Sequence, residues 1–143
     1  MQTTGSLLRV SDTQLLTTGY GIFSADAPGP TQPPISNYSI AVFASSDGGS
    51  SFEWLATPIG PSTDRPAQCI GGSENHIERL ADGSILLVFR VLDDANVMCA
   101  SRSRTDARTW DTAAPLRGVG GGLSPWGVAP RLLRLSNGLL ALT

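Results

Sequence analysis

The sequence predicts an all-β protein built from repeated units of antiparallel strands, and three observations support this prediction. Residues 74–90 combine a β-type start, a turn signal at Asp82-Gly83 and a second apolar β run. The same pattern recurs 70 residues earlier, around Asp12, and 55 residues later, around Asn137. The chain also contains 16 glycines and 10 prolines, which suits many short strands joined by turns.

The repeat divides the chain into units. The first unit is expected at about residues 6–58, and its four strands are interrupted by a Pro-rich loop at 24–36. The second unit is expected at about 74–116, and a third begins near 128 and continues to 143. No segment shows a helical pattern, so each unit should consist of strands and turns alone.

A second repeated feature precedes the fourth strand of each unit. Phe52 and Trp110 lie 58 residues apart, and each follows a hydroxyl residue, Ser51 or Thr109. Units of four antiparallel strands that recur at roughly 45 to 60 residues are typical of β-propeller blades. Residues 1–143 are therefore predicted to form one incomplete propeller of about two and a half to three blades.

Composition narrows the function class. Hydrophobic residues make up 41% of the chain and charged residues 15%, so the chain should fold. A net charge of −2 offers no basic surface for nucleic acid or an anionic membrane. No apolar run approaches the length of a membrane span, and residues 1–5 show no signal peptide.

Cys69 and Cys99 are too few for a zinc site or a disulfide-dense scaffold. The sequence is compatible with either one disulfide bridge or two buried thiols. No metal site and no cofactor are expected. The sequence does not fix a compartment, although an extracytoplasmic or vesicular one is favoured.

The turn from Ser45 to Phe52 has a spacing that suits a tight, self-bonded hairpin connection. Asp47 can accept backbone N–H bonds two and three residues on. Gly49 can adopt a positive φ, and Phe52 can pack its ring between hairpin layers. These residues are therefore expected to stabilise the fold and to take no part in chemistry.

This spacing resembles the Asp-box of the sialidase-like propellers, which belong to the sialidase (neuraminidase) superfamily with its Asp-box or BNR repeats. A second, degenerate copy runs from Ser103 to Trp110; it keeps the Ser, Thr and Trp, displaces the Asp and lacks the Gly. The resemblance implies a six-bladed propeller, of which this chain would form part.

Glu74 and Arg90 are the candidate functional residues. In a four-stranded meander, the start of the first strand and the end of the second lie at one end, opposite the Asp-box. Glu74 aligns with Thr4 and Ala129 in the other copies, and Arg90 aligns with Tyr20. The apolar positions repeat and these two charged ones do not, which points to a specific role. A purely structural ion pair is the alternative.

The stretch 74–90 resembles the sialidase segment whose glutamate pairs with the nucleophilic tyrosine and whose terminal arginine binds the sialic acid carboxylate. The resemblance implies that Glu74 is catalytic and that Arg90 binds substrate. Guanidinium forks suit planar carboxylates, and a glutamate can take a phenolic proton. The implied partner is a sialylated glycan or a related acidic sugar.

Other family residues have no match in the chain. The first arginine and the acid aspartate are expected upstream, and the third arginine and the nucleophile downstream; Tyr20 and Tyr38 do not match the nucleophile's context. The 143-residue chain alone is thus expected to be inactive.

Trp126 is a candidate platform on which a sugar ring could stack. The leading hypothesis is part of an exo-α-sialidase-like glycosidase, and the alternative is a non-catalytic Asp-box propeller that binds glycans or proteins.

Overall fold

The computed structural model describes residues 2–23, 38–60, 69–91, 97–117 and 127–143, with side chains from residue 6 onward. All the elements in these ranges are β-strands, so the prediction of an all-β chain is confirmed. The ten strands are β1 (Gln2–Arg9), β2 (Leu15–Gly21), β3 (Ser39–Ser45), β4 (Glu53–Ile59), β5 (Gly72–Arg79), β6 (Ile85–Val91), β7 (Met98–Ser103), β8 (Ala114–Pro115), β9 (Leu132–Arg134) and β10 (Leu140–Leu142).

The strands form two four-stranded antiparallel sheets and a hairpin. The first sheet has the order β1-β2-β3-β4, the second has the order β5-β6-β7-β8, and β9 pairs with β10. Each sheet is a simple meander, as the repeat predicts. The first strand begins at Gln2, earlier than the predicted residue 6, because Gln2 and Thr3 pair through their backbones with Tyr20 and Gly19. These two polar residues give no apolar alternation that the sequence could reveal.

The turns that the sequence singled out have the chemistry that their residues allow. Gly83 and Gly138 both have a φ of +84°, a conformation that glycine adopts at little cost. The Leu80 N–H donates to the Ser84 carbonyl at 2.8 Å, and Asp82 accepts the N–H and O–H of Ser84 at 3.1 and 2.7 Å. These bonds replace the ladder bonds that end at the hairpin.

The core lies between the two four-stranded sheets. Alternate residues of β6, from Ile85 to Val91, are buried in this core, as period-2 patterning predicts. The buried side chains of this core are Leu16, Ile40, Val42, Ile59, Cys69, Ile77, Ile85, Leu87, Phe89, Val91, Cys99, Ala107 and Ala113. Gly72 lies close to the Ile40 side chain, since a Cβ there would stand 2.6 Å from Ile40 Cδ1.

Equivalent hydrogen bonds join successive units through their first strands. The Ile77 N–H donates to the Ser6 hydroxyl oxygen at 3.0 Å, and the Leu132 N–H donates to His76 Nδ1 at 3.4 Å. Ile77 and Leu132 hold the same place in the repeat, as do Ser6 and His76. Strand β5 therefore contacts β1 of the unit before and β9 of the unit after.

A disulfide joins Cys69 and Cys99, which decides between the two alternatives that the sequence left open. Cys69 lies just before β5, and Cys99 lies on β7 opposite Phe89. Both cysteines are fully buried in the core between the sheets. The bridge fixes the start of β5 against the centre of its own sheet.

Candidate functional site

Glu74 and Arg90 lie together at one end of the second sheet because of a β-bulge. The register of β5 and β6 shifts between Gly72 and Asn75, so that Ser73 and Glu74 together stand opposite Arg90. A bulge of this kind re-aims a side chain and is common next to functional sites. The two residues that the sequence proposed as a pair therefore share one end of the sheet.

The pair is held by charge and by a serine. Arg90 Nη1 donates to Glu74 Oε1 at 3.3 Å and to Oε2 at 3.1 Å. The Ser73 hydroxyl lies 3.2 Å from Glu74 Oε2 and 3.2 Å from the Arg90 carbonyl oxygen. The Arg90 and Glu74 side chains are 20% and 27% exposed. The site is thus partly desolvated, which strengthens its electrostatics, and a ligand can still reach it.

Tyr20 lies within the electrostatic influence of this pair, and sequence reasoning missed it. Burial raises the pKa of Tyr20, the negative charges of Glu74 and Tyr38 raise it further, and the positive charge of Arg90 opposes them. Tyr20 lies near the end of β2, and β2 contacts β5 across the junction of the two sheets. One signal could have found it: Tyr20 holds the repeat position that Arg90 holds in the second unit.

The turn from Ser45 to Phe52 is closed by two of its own side chains. Asp47 Oδ1 accepts the Ser45 hydroxyl at 2.7 Å and the Ser51 N–H at 3.0 Å, and Oδ2 accepts the Ser51 hydroxyl at 2.7 Å. The Ser45 oxygen accepts the N–H of Gly49 at 2.8 Å. The expectation that Asp47 accepts N–H groups two and three residues on holds in part, because the N–H of Ser50, three residues on, helps to lower the pKa of Asp47. The N–H of Ser51, four residues on, adds the 3.0 Å bond.

The degenerate turn reproduces these bonds with different residues. Thr105 stands where Asp47 stands, and its Oγ1 accepts the Thr109 N–H at 2.8 Å. Ser103 accepts the Ala107 N–H at 3.0 Å, as Ser45 does for Gly49. Asp106 and Ala107 take positive φ values of 50° and 66° without a glycine. Sequence reasoning did not reveal that a threonine could replace the carboxylate.

The two aromatic residues that end these turns differ in burial. Trp110 packs against the core, and its Nε1–H donates to the Ala107 carbonyl at 2.8 Å. Phe52 is 40% exposed, so its side chain is more accessible than that of the partly buried Trp110. The first turn is held by the hydrogen bonds of Ser45 and Asp47.

The first and third turns of each unit meet at the end opposite Glu74. The Gly48 N–H donates to the Thr13 carbonyl at 3.0 Å in the first unit. In the second unit, Arg79 lies 3.6 Å from Asp106. Each four-stranded sheet therefore has one end made of the first and third turns. In the second sheet, the opposite end carries the candidate site.

Trp126 and the Pro-rich loop at 24–36 lie outside the described residues. Within the described ranges, no group of three or more His, Cys, Asp or Glu side chains is arranged to hold a metal ion. The part of the chain that the structure describes contains no helix long and apolar enough to cross a membrane.

No protein-family model and no curated protein matches the sequence. The fold is similar to that of several solved structures. A protein of unknown function from Dyadobacter fermentans matches with a TM-score of 0.69 and 16% identity, over 96% of this chain and 32% of that one. The chain thus spans about a third of the length of that protein.

Two of the similar structures are named as carbohydrate-active enzymes. A β-xylosidase matches with a TM-score of 0.61 and 12% identity, over 98% of this chain and 42% of that one. An ulvan lyase, a polysaccharide lyase, matches with a TM-score of 0.51 and 17% identity, over 80% of this chain and 25% of that one. At these identities the similarity is one of fold.

Proposed function

We propose that this chain is part of an exo-α-sialidase-like glycoside hydrolase, to which it contributes Arg90 as a substrate-carboxylate ligand and Glu74 as a proton acceptor. The observation that carries the proposal is the bulge-held pair of Glu74 and Arg90. It lies at the sheet end opposite the Asp-box turns, where the resemblance to sialidases implies the site. The substrate is a terminal sialic acid or a related acidic sugar.

The arrangement of the units supports a propeller of the six-bladed sialidase type. Strand β5 contacts β1 on one side and β9 on the other, and the same first-strand hydrogen bond recurs between successive units. First strands that stand side by side with a repeated contact are the inner strands of a radial array. Further units that follow the same rule would close the ring.

Arg90 suits the carboxylate of a sugar acid. A guanidinium offers parallel N–H donors whose spacing matches the two oxygens of a carboxylate. The partly buried position of Arg90 keeps this contact from being fully screened by water. A neutral sugar offers such a group only uncharged acceptors, so Arg90 favours acidic substrates.

Glu74 suits the transfer of a proton from a phenol. An anionic sugar disfavours attack by a carboxylate nucleophile, and a tyrosine takes that role in sialidases. A neighbouring glutamate activates the tyrosine by accepting its proton as the glycosyl bond forms. The nucleophile itself, the acid and the other two arginines are expected elsewhere in the complete protein.

The similar structures add support at the level of substrate class. One ulvan lyase structure, with a TM-score of 0.50, is described as bound to -[GlcA(1-4)Rha3S]-, and GlcA carries a carboxylate. The xylosidase also acts on sugars by its name. A carbohydrate is therefore the favoured ligand class for this chain.

The second candidate is a non-catalytic Asp-box propeller that binds glycans or proteins. One observation favours it: both carboxylate oxygens of Glu74 already have partners, in Arg90 and Ser73. An ion pair satisfied in this way can shape a binding surface without transferring a proton.

Hydrolysis of a fluorogenic sialoside by the complete gene product tests the proposal. We expect turnover in the unmodified protein, weaker substrate binding in Arg90→Lys, and slower turnover in Glu74→Gln. Arg104→Lys is the matched control, because Arg104 forms an exposed ion pair with Asp111 at the turn end. Binding of sialic acid without turnover would favour the second candidate. If the protein neither binds nor hydrolyses any acidic sugar, the glycosidase proposal fails, and the second candidate survives only as a protein-binding propeller.

A further inference from the structure

We infer that Tyr20 is a third ligand-contacting group of the Glu74–Arg90 site, and that its hydroxyl donates a hydrogen bond to an oxygen of the sugar acid whose carboxylate Arg90 binds. This inference rests on the proposed function and extends it to a residue of the first sheet. The site then spans the junction between two sheets. The favoured ligand has a carboxylate and a nearby hydroxyl or ring oxygen.

The position of β5 carries the inference. Strand β5 pairs with β6 in its own sheet and contacts β2 across the junction of the sheets. Glu74 stands at the start of β5, Arg90 near the end of β6 and Tyr20 near the end of β2. Glu74 therefore pairs with the Arg90 guanidinium in its own sheet, and the strand that carries Tyr20 packs against the strand that carries Glu74.

The repeat reinforces this placement. Tyr20 and Arg90 hold the same position in successive units, 70 residues apart. Equivalent positions of adjacent meanders are presented at the same end of each sheet. The two units thus present two different polar groups at equivalent positions. This is expected of a binding site whose residues vary while the scaffold repeats.

An aromatic neighbour adds an apolar surface. The rings of Tyr20 and Tyr38 lie 6.2 Å apart between centroids and are tilted by 41°. Paired aromatic rings beside a few polar groups are typical of small-ligand sites, in which the rings contact carbon and the polar groups fix orientation. The C–H face of a sugar ring fits this combination.

The protonation state of Tyr20 makes it a donor. Burial and the charges of Glu74 and Tyr38 raise its pKa above the ordinary value of 10.0, and Arg90 only partly opposes them. The phenol thus keeps its proton at neutral pH and can donate it in a hydrogen bond. A raised pKa works against a phenolate nucleophile, so this tyrosine differs in role from the one expected elsewhere in the protein.

The first experiment reads the Tyr20 environment directly. In the complete gene product, subtracting the absorbance titration of Tyr20→Phe near 295 nm from that of the unmodified protein isolates the ionisation of Tyr20. We expect the midpoint to fall when Glu74→Gln is added and to rise when Arg90→Gln is added, with far-UV circular dichroism to show that the fold persists. A midpoint that moves with neither change would overturn the proximity of the three groups.

The second experiment measures ligand binding by the complete gene product. Tyr20→Phe removes only the hydroxyl and should weaken binding of N-acetylneuraminic acid about tenfold. Tyr38→Phe is the matched control, because it keeps its ring and should change binding less. The methyl ester of the same sugar should lose the contribution of Arg90 and keep that of Tyr20.

The outcomes separate this inference from the proposed function. Binding that is weakened in Tyr20→Phe but not in Tyr38→Phe supports the inference. Binding by the unmodified protein that Tyr20→Phe leaves unchanged overturns the inference and leaves the proposed function standing. If the unmodified protein binds neither sialic acid nor glucuronic acid, the proposed function fails, and the ligand role of Tyr20 fails with it.

Discussion

The two ends of the sheets are built on different principles. At the turn end, Asp47 bonds only to residues within four positions of itself, and so does Thr105. At the other end, Glu74 and Arg90 are 16 residues apart and meet through a bulge between two strands. The charge of Glu74 also acts on Tyr20 in the other sheet. The difference separates a local folding device from a non-local arrangement that suits a ligand.

The two turns show why the Asp47 carboxylate is better explained as part of the scaffold. Thr105 takes the place of Asp47 and accepts the equivalent backbone N–H. A hydroxyl and a carboxylate share the ability to accept that bond, whereas a catalytic acid or nucleophile would not tolerate the exchange. The comparison predicts that substitutions at the two ends affect different quantities.

The largest effect is expected from the disulfide that holds the site end. Replacing Cys69 and Cys99 together by serine removes a cross-link over 30 residues and should lower the free energy of unfolding by about 3–4 kcal/mol. Thermal melts with and without a reducing agent measure the change. An unmodified chain whose melting temperature does not respond to reduction would show that the bridge contributes nothing.

The next effect is on ligand binding and turnover. Arg90→Lys keeps the charge but loses the planar fork, so it should weaken substrate and transition-state binding by roughly 1.5–3 kcal/mol. Glu74→Gln should mainly lower kcat, because a neutral amide cannot take a proton. Steady-state kinetics of the complete gene product give both numbers. The comparison breaks if Glu74→Gln leaves kcat unchanged while Asp47→Ala abolishes it.

A smaller effect is expected at the turn end, and it should fall on stability alone. Thr105→Ala removes the acceptor for the Thr109 N–H and should cost about 1 kcal/mol, as the loss of a capping side chain does. Asp47→Ala removes acceptors for one N–H and two hydroxyls, so its melting temperature should fall further than that of Thr105→Ala. In both variants, kcat and KM of the folded protein should match those of the unmodified protein.

The sequence predicted the parts of the fold that local patterns determine. Alternating apolar residues located the strands, and Asp82-Gly83 and Asn137-Gly138 located two hairpins. These features depend on residues within one strand or turn, so one repeat unit contains all the information that they need.

The features that the sequence did not predict depend on packing between the sheets. The charge of Glu74 acts on Tyr20 because β2 contacts β5. The spacing of residues along the chain does not predict that contact. The disulfide of Cys69 and Cys99 likewise depends on where β7 lies against the segment before β5. The sequence placed Glu74 and Arg90 at the same end because a hairpin connects their strands, which is a local relation.

The smallest predicted effect is a pH dependence that distinguishes the two turns. Hydrogen bonds from Ser45 and Ser51 hold the pKa of Asp47 well below its ordinary value of 3.8. A carboxyl with a depressed folded-state pKa contributes stability above its unfolded pKa, and this contribution is lost as the pH falls through the folded pKa. The melting-temperature difference between the unmodified chain and Asp47→Asn should therefore be constant from pH 7 to about 5 and should shrink below about 4.

The melting-temperature difference between the unmodified chain and Thr105→Val should stay level over the same range, because Thr105 does not titrate. Asp82 has a lowered pKa of similar origin, and it is present in all three proteins, so its contribution cancels. A difference for Asp47→Asn that stays level down to pH 2 would show that the carboxylate charge does not close the turn.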